Sequence, residues 1–130
     1  MGFSFNGDVC ISVNETEVAS FVWALTVRIV DEEGGSFTGT FGSKGCSFEL
    51  YTENGSFAMT DTSPEDGIAV LRCMTEDRSN MALAPKAVAT LPAVVELLEQ
   101  FPYGLFNKSS REKLLNKAYS KIKAALAATA

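Results

Sequence analysis

An α+β fold is predicted by two observations: the hydrophobic period changes near residue 77, and turn signals before that point recur every eight to twelve residues. The first part reads as short β-rich runs, and the part after Asp77 is Ala/Leu-rich with helical spacing. The expected architecture is an antiparallel meander of five to six strands, followed by two helices packed on one face. A chain of 130 residues makes one domain, mainly β over 1–77 and mainly α over 79–129.

The strands are marked by their turns. Asn6-Gly7 separates FSF from DVCISV, and Glu53-Asn54-Gly55-Ser56 separates SFELYT from FAMTD. Asn-Gly between alternating apolar residues is a hairpin signal, because both central positions of a type I′ turn need positive φ. Glu32-Glu33-Gly34-Gly35, Gly42-Ser43-Lys44-Gly45 and Ser63-Pro64-Glu65-Asp66-Gly67 mark three further turns. Between them, SFTGTF, CSFELYT and IAVLRCMT read as strands. Residues 15–31 fit two patterns. Val18, Phe21, Val22, Leu25 and Ile29 have helical spacing, with Asn14 and Glu17 as a capping box, which allows a short helix over 15–24. Phe21, Trp23, Leu25, Val27 and Ile29 also alternate strictly, which favours a strand for the second half.

Helical segments follow. Pro92 suits a first helical turn, so a helix is expected from Pro92 to Phe101, with residues 79–91 as a possible preceding, Pro-bent helix. Pro102-Tyr103-Gly104 stops it. A second helix is expected after Ser109 or Ser110 as N-cap, running to about Ala127 with an apolar stripe of Leu115, Ala118, Tyr119, Ile122 and Leu126.

Composition limits the chemistry. The chain contains no His, the usual general base near neutral pH, and no pairing or spacing of its three cysteines matches a metal site. Cys10, Cys46 and Cys73 are expected to be buried, reduced thiols. The glycine-rich stretch Gly39–Gly45 lacks the Gly-Lys-Ser/Thr that opens a helix in a phosphate loop. No catalytic residue, cofactor or metal is expected. MGFSFNGDV lacks the basic and apolar regions of a signal peptide, and no apolar run approaches the roughly 20 residues that span a bilayer. The expectation is a soluble, cytoplasmic protein without membrane contact. Asn14, Asn54 and Asn107 begin Asn-x-Ser/Thr triplets, which are read as turn and cap chemistry.

The charge is divided by position. Lys108, Arg111, Lys113, Lys117, Lys121 and Lys123 against Glu112 give the tail +5, so the remainder carries −10 within a total of −5. The tail's stripe, Arg111, Lys113, Lys117 and Lys121, has three readings: a surface for nucleic acid, a solvated helix face, or a dock onto the chain's own acidic body. Nucleic acid is disfavoured, since a body at −10 repels phosphate. The acidic clusters Asp31-Glu32-Glu33, Glu65-Asp66 and Glu76-Asp77 are the candidate contacts for a basic protein partner.

The stretch NMALAPKAVATLPAVVELLEQ, with the later REKLLNKAYSKIKAALA, resembles a pattern of small phage and prophage accessory proteins. Asn80, Ala82, Leu83, Pro92, Leu97 and Leu98 carry the resemblance over residues 79–127, while Pro85 and Ala93-Val94-Val95 depart from it. The resemblance implies a phage-encoded protein acting in the bacterial cytoplasm by stoichiometric binding to a protein, for example as an inhibitor of a host defence (anti-CRISPR-like) complex. No functional residues carry over. The alternatives are a self-assembling virion protein that oligomerises through exposed strand edges, and a nucleic-acid binder acting through the C-terminal helix.

Overall fold

The computed structural model describes residues 2–19, 22–52, 55–76, 83–104 and 107–129, with the backbone alone at 16–19 and 103–104. Six strands, β1 (Gly2–Phe5), β2 (Val9–Ala19), β3 (Val22–Asp31), β4 (Ser36–Gly42), β5 (Gly45–Thr52) and β6 (Gly55–Thr62), form one antiparallel sheet in sequence order. Among the described residues three helices follow: α1 (Pro64–Glu76), α2 (Pro85–Gln100) and α3 (Lys108–Ala128), with a 3₁₀ turn at Phe101–Gly104 between the last two. The α+β meander is as expected, with one helix more. No helix is long and apolar enough to cross a membrane among the described residues.

Period-two alternation sorts the sheet into two faces. One row of paired residues reads Phe5–Ile11–Ile29–Phe37–Leu50–Phe57, and the adjacent row reads Ser4–Ser12–Arg28–Thr38–Glu49–Ala58. The first row faces the helices and the second faces away from them. Phe37, Phe41 and Phe48 meet in the core at ring-centroid distances of 5.6–6.3 Å. Gly39 leaves the room they need: a methyl group there would lie 2.7 Å from the Phe41 ring and 2.8 Å from Phe48 Cβ.

The helix considered for residues 15–24 does not form among the described residues, and positions 20 and 21 lie outside them. β2 runs to Ala19 and pairs with β3 along its length, from Val9↔Asp31 to Ala19↔Val22, with a register shift between Glu15 and Glu17. The alternating set wins because it buries Trp23, Leu25, Val27 and Ile29 on one face, where the helical set would divide them.

IAVLRCMT, expected as a strand, lies in α1. The preceding Ser63-Pro64-Glu65-Asp66 is a helix start, not a turn: Ser63 Oγ accepts the Asp66 N–H at 3.2 Å, Pro64 opens the first turn, and Glu65 and Asp66 face the positive end of the helix dipole. Gly67 disguised this start. Its role is close packing on the sheet, since a methyl group there would lie 2.3 Å from Cys46 Sγ. Cys46 is buried in the core, and that burial pushes its thiol up to about 11. Cys10 and Cys73, expected inside, are exposed.

α2 begins at Pro85, seven residues before the expected start, because Pro85 already fills the first-turn site assigned to Pro92. Pro92 lies inside the helix with its ring exposed. α2 is buried at nine of its sixteen residues, which fits its place between the sheet, α1 and α3. Buried Thr90 is satisfied by donating to Ala87 O at 2.7 Å. The N-cap of α3 is Asn107, whose Oδ1 accepts from the Ser109 and Ser110 N–H groups at 2.9 and 3.3 Å. Those two serines, expected as caps, are instead the capped residues. Leu115, Ala118 and Ile122 are buried as expected, whereas Tyr119 stays more than a third exposed and stacks on Phe5 with centroids 4.4 Å apart.

The Gly67–Cys46 contact is directly testable. Gly67→Ala is expected to lower the unfolding free energy by about 1–3 kcal/mol in urea titration, because the buried Cys46 side chain must shift to admit the methyl group. In a Cys46→Ala background the same change is expected to cost less. Strict additivity of the two substitutions would show that this contact is not what excludes a side chain at Gly67.

Candidate functional site

The acidic clusters do not form one surface. Asp31 is buried at the end of β3 and spends both carboxylate oxygens on backbone N–H groups. Oδ1 accepts from Glu33 at 3.0 Å and Gly35 at 2.9 Å, closing the β3–β4 turn. Oδ2 accepts from Ala84 at 2.8 Å, across 53 residues. Ala84 is the N-cap position of α2 and supplies no side-chain cap of its own. Asp31 therefore caps that helix from the sheet and is not available to a partner. Glu32 and Glu33 are exposed in the turn, Glu65 and Asp66 are exposed in the first turn of α1, and Glu76 is exposed at its end. Asp77 lies outside the described residues.

The basic stripe largely docks on the chain itself. Lys117 Nζ lies 3.0 Å from Glu96 Oε1, and Lys121 pairs with the other oxygen of the same carboxylate on α2. Arg111 Nε lies 3.6 Å from Glu15 Oε1 of β2, with both side chains mostly buried. Lys113 is exposed and forms no ion pair with a described residue. Two more pairs link distant elements: Lys86 of α2 with Asp8 at 2.6 Å, and Arg72 of α1 with Glu99 of α2. Lys121 first, then Lys117, hold the Glu96 carboxyl below its ordinary range, and Lys86 does the same to Asp8.

Apart from Asp31, eight described carboxylates form no ion pair with a described residue: Glu32 and Glu33 lie in the β3–β4 turn, Glu49 on β5 and Glu112 on α3, and the other four lie on β6 and α1. Asp61 of β6 and Glu65, Asp66 and Glu76 of α1 form no side-chain hydrogen bond or ion pair with another described residue, though Arg72 acts on Glu76 at longer range. Asp61 lies on β6 itself, and Glu65 lines the groove between α1 and α2; β6 is the last strand of the sheet and is exposed over most of its length. Two open cavities, of about 730 and 790 Å³, meet at Trp23, Ser43 and Pro64 beside this flank; Lys44 and Asp61 line the first, and Arg72 and Glu65 the second. Among the described residues no three metal-ligating side chains come together.

The two ends of the sheet differ. At β1, Phe3 and Phe5 are covered by Tyr119 of α3, at centroid distances of 5.8 and 4.4 Å. At β6, Phe57 touches Phe48 at 6.1 Å yet stays 45% exposed, and Met59 is only partly buried. Charge patterning alone missed this strand. The signal present was GSFAMT, six residues of β-rich sequence without a charge or a proline, which is unusual for a strand edge left in water. The chain was compared with protein-family models, curated proteins and solved structures, and it matches none of them.

Two outcomes are expected. Asp31→Ala strands three backbone N–H groups and is expected to cost about 2–5 kcal/mol in urea unfolding, while Glu32→Ala and Glu33→Ala stay within about 0.5 kcal/mol of the parent. Glu96 and Asp8 have folded pKa values below their unfolded ones. Their contribution is thus present above the ordinary carboxylate range and is lost as pH falls through the lower folded values. Melting temperature should drop between about pH 5 and pH 2, and less steeply in Glu96→Gln; an unchanged slope in that variant would remove Glu96 from the account.

Proposed function

We propose that this chain acts by stoichiometric binding of a protein with a basic surface, met at the flank formed by β6 and α1. The observation that carries the proposal is the distribution of pairing. Glu15, Glu96, Glu99 and Asp8 are taken up by the chain's own Arg111, Lys117, Lys121, Arg72 and Lys86. Asp61 on β6 and Glu65, Asp66 and Glu76 on α1 are left exposed to solvent. Such a field steers a cationic partner and orients it on arrival. The absence of histidine from the sequence, the usual general base near neutral pH, supports binding over catalysis. The resemblance of residues 79–127 to phage accessory proteins supports placing this binding in an infected bacterium, with inhibition of a host defence complex as its form. Internal use of Arg111, Lys117 and Lys121 speaks against a nucleic-acid role for the tail.

The test is affinity capture from bacterial lysate, with the parent chain and a Glu65→Gln/Asp66→Asn/Glu76→Gln variant as paired baits. The parent is expected to retain a partner at one-to-one ratio that elutes with rising salt, and the variant to bind it about tenfold more weakly, as three rim charges of about 0.5 kcal/mol each imply. Equal retention by both baits would refute the proposed surface.

A further inference from the structure

The β6 edge is unlike the rest of the sheet boundary, and the difference points to how a partner is held. A strand at a sheet edge turns every second N–H and C=O pair outward, where it can receive another strand. Proteins normally block such edges with lysine, proline, a bulge or a covering element. β1 is short, at 4 residues, and its core-facing rings are capped by Tyr119. β6 has 8 residues, and none of Gly55–Thr60 is charged or proline. Its single irregularity is at the far end. Cys46↔Thr62 and Phe48↔Met59 are out of step by one residue, and Asp61 takes the left-handed conformation at φ 53°. The regular stretch is therefore Gly55 to Met59.

The helical layer also stops short of this edge. Phe57 and Met59 share the core face of the sheet, where Met59 packs against the core, but Phe57 keeps nearly half its surface in water. On the opposite face, Ser56 and Ala58 are small and Glu49 is one strand inward, opposite Ala58. One more strand would cover Phe57 and Met59 on the helix side and meet no bulky side chain on the other.

Resting on the binding role proposed above, we infer that β6 accepts a seventh strand from the partner. The occupant is an extended segment whose alternate apolar side chains lie over Phe57 and Met59, and whose ends carry Lys or Arg toward Asp61, Glu65, Asp66 and Glu76. Charge selects this occupant over a second copy of the chain. Antiparallel β6–β6 pairing would join two chains each at −5, with Glu49 of both copies flanking the middle of the seam and Asp61 its two ends. Basic ends on the incoming strand neutralise the same groups. Main-chain hydrogen bonds then supply affinity, and the alternating side chains and flanking charges supply selection.

The test uses the full chain and a capped ten-residue peptide with an alternating Val-Thr centre and two lysines at each end. Titration at low salt is expected to give one-to-one binding, with the NMR shifts of the chain concentrated at residues 55–60. Binding is expected to weaken at least tenfold when glutamates replace the end lysines, when alternate peptide amides are N-methylated, or in Ala58→Lys. Ala58 is exposed, so this variant should keep the parent's melting temperature; Ser56→Lys serves as an independent second block. The inference is overturned if the lysine-flanked peptide does not bind, if Ala58→Lys and Ser56→Lys leave binding unchanged, or if light scattering finds a dimer of the free chain that Ala58→Lys dissolves, which would assign β6 to a second copy. A lysate partner that depends on Glu65, Asp66 and Glu76 but ignores Ala58→Lys would overturn the strand addition alone and leave the binding role standing.

Discussion

The arrangement of this protein depends on one buried carboxylate. Asp31 closes the β3–β4 turn with one oxygen and caps α2 with the other. α2 is the central helix, packed against β3 below and between α1 and α3 at its sides. Fixing its first turn to the end of β3 sets how the helical layer lies on the sheet. A buried carboxylate is costly unless its oxygens are satisfied, and three N–H groups satisfy this one. The constraint joins residues far apart in the chain and acts before any surface charge matters.

Ion pairs add a second layer of order. Arg111, Lys117 and Lys121 tie α3 to β2 and α2, Arg72 ties α1 to α2, and Lys86 ties α2 to the β1–β2 connection through Asp8. The exposed pairs contribute little each, about 0–1 kcal/mol, so their chief effect is on the field and not on stability. They cancel much of the tail's charge against the body's charge. Apart from Asp31, half of the described carboxylates left over lie on β6 and α1, and the rest on the β3–β4 turn, β5 and α3. The division between acidic body and basic tail is thus mostly an internal matter, and the residual carboxylates are what a partner meets.

The sheet was legible because alternation and turn residues are local: Val9, Ile11 and Val13, or Phe37, Gly39 and Phe41, declare their faces without knowledge of the rest. α1 was hidden because Ser63-Pro64-Glu65-Asp66-Gly67 serves equally as a turn or a helix start, and the glycine that tipped the choice is explained only by the Cys46 thiol opposite it. Pro92 misplaced the start of α2 because Pro85 does the same job one segment earlier. Asp31 looked like its neighbours Glu32 and Glu33, since its third hydrogen-bond donor is 53 residues away. The β6 edge escaped notice for a related reason: which strand ends the sheet, and whether a helix covers it, are tertiary facts. Once the order of strands is known, the uncharged run GSFAMT stands out against a chain that is 21% charged.

The functional account rests on a difference between the two edges: β1 has 4 residues with its rings covered by Tyr119, and β6 has 8 residues with Phe57 nearly half exposed. Hydrogen exchange of the free chain at low micromolar concentration, read by mass spectrometry on peptides spanning each strand, tests it most directly. The account predicts fast exchange for about half of the amides in Gly55–Thr60, those turned away from β5, while the central strands β3 and β4 stay protected. Uniform protection of Gly55–Thr60 in the free chain would contradict it, because the edge would then already be filled.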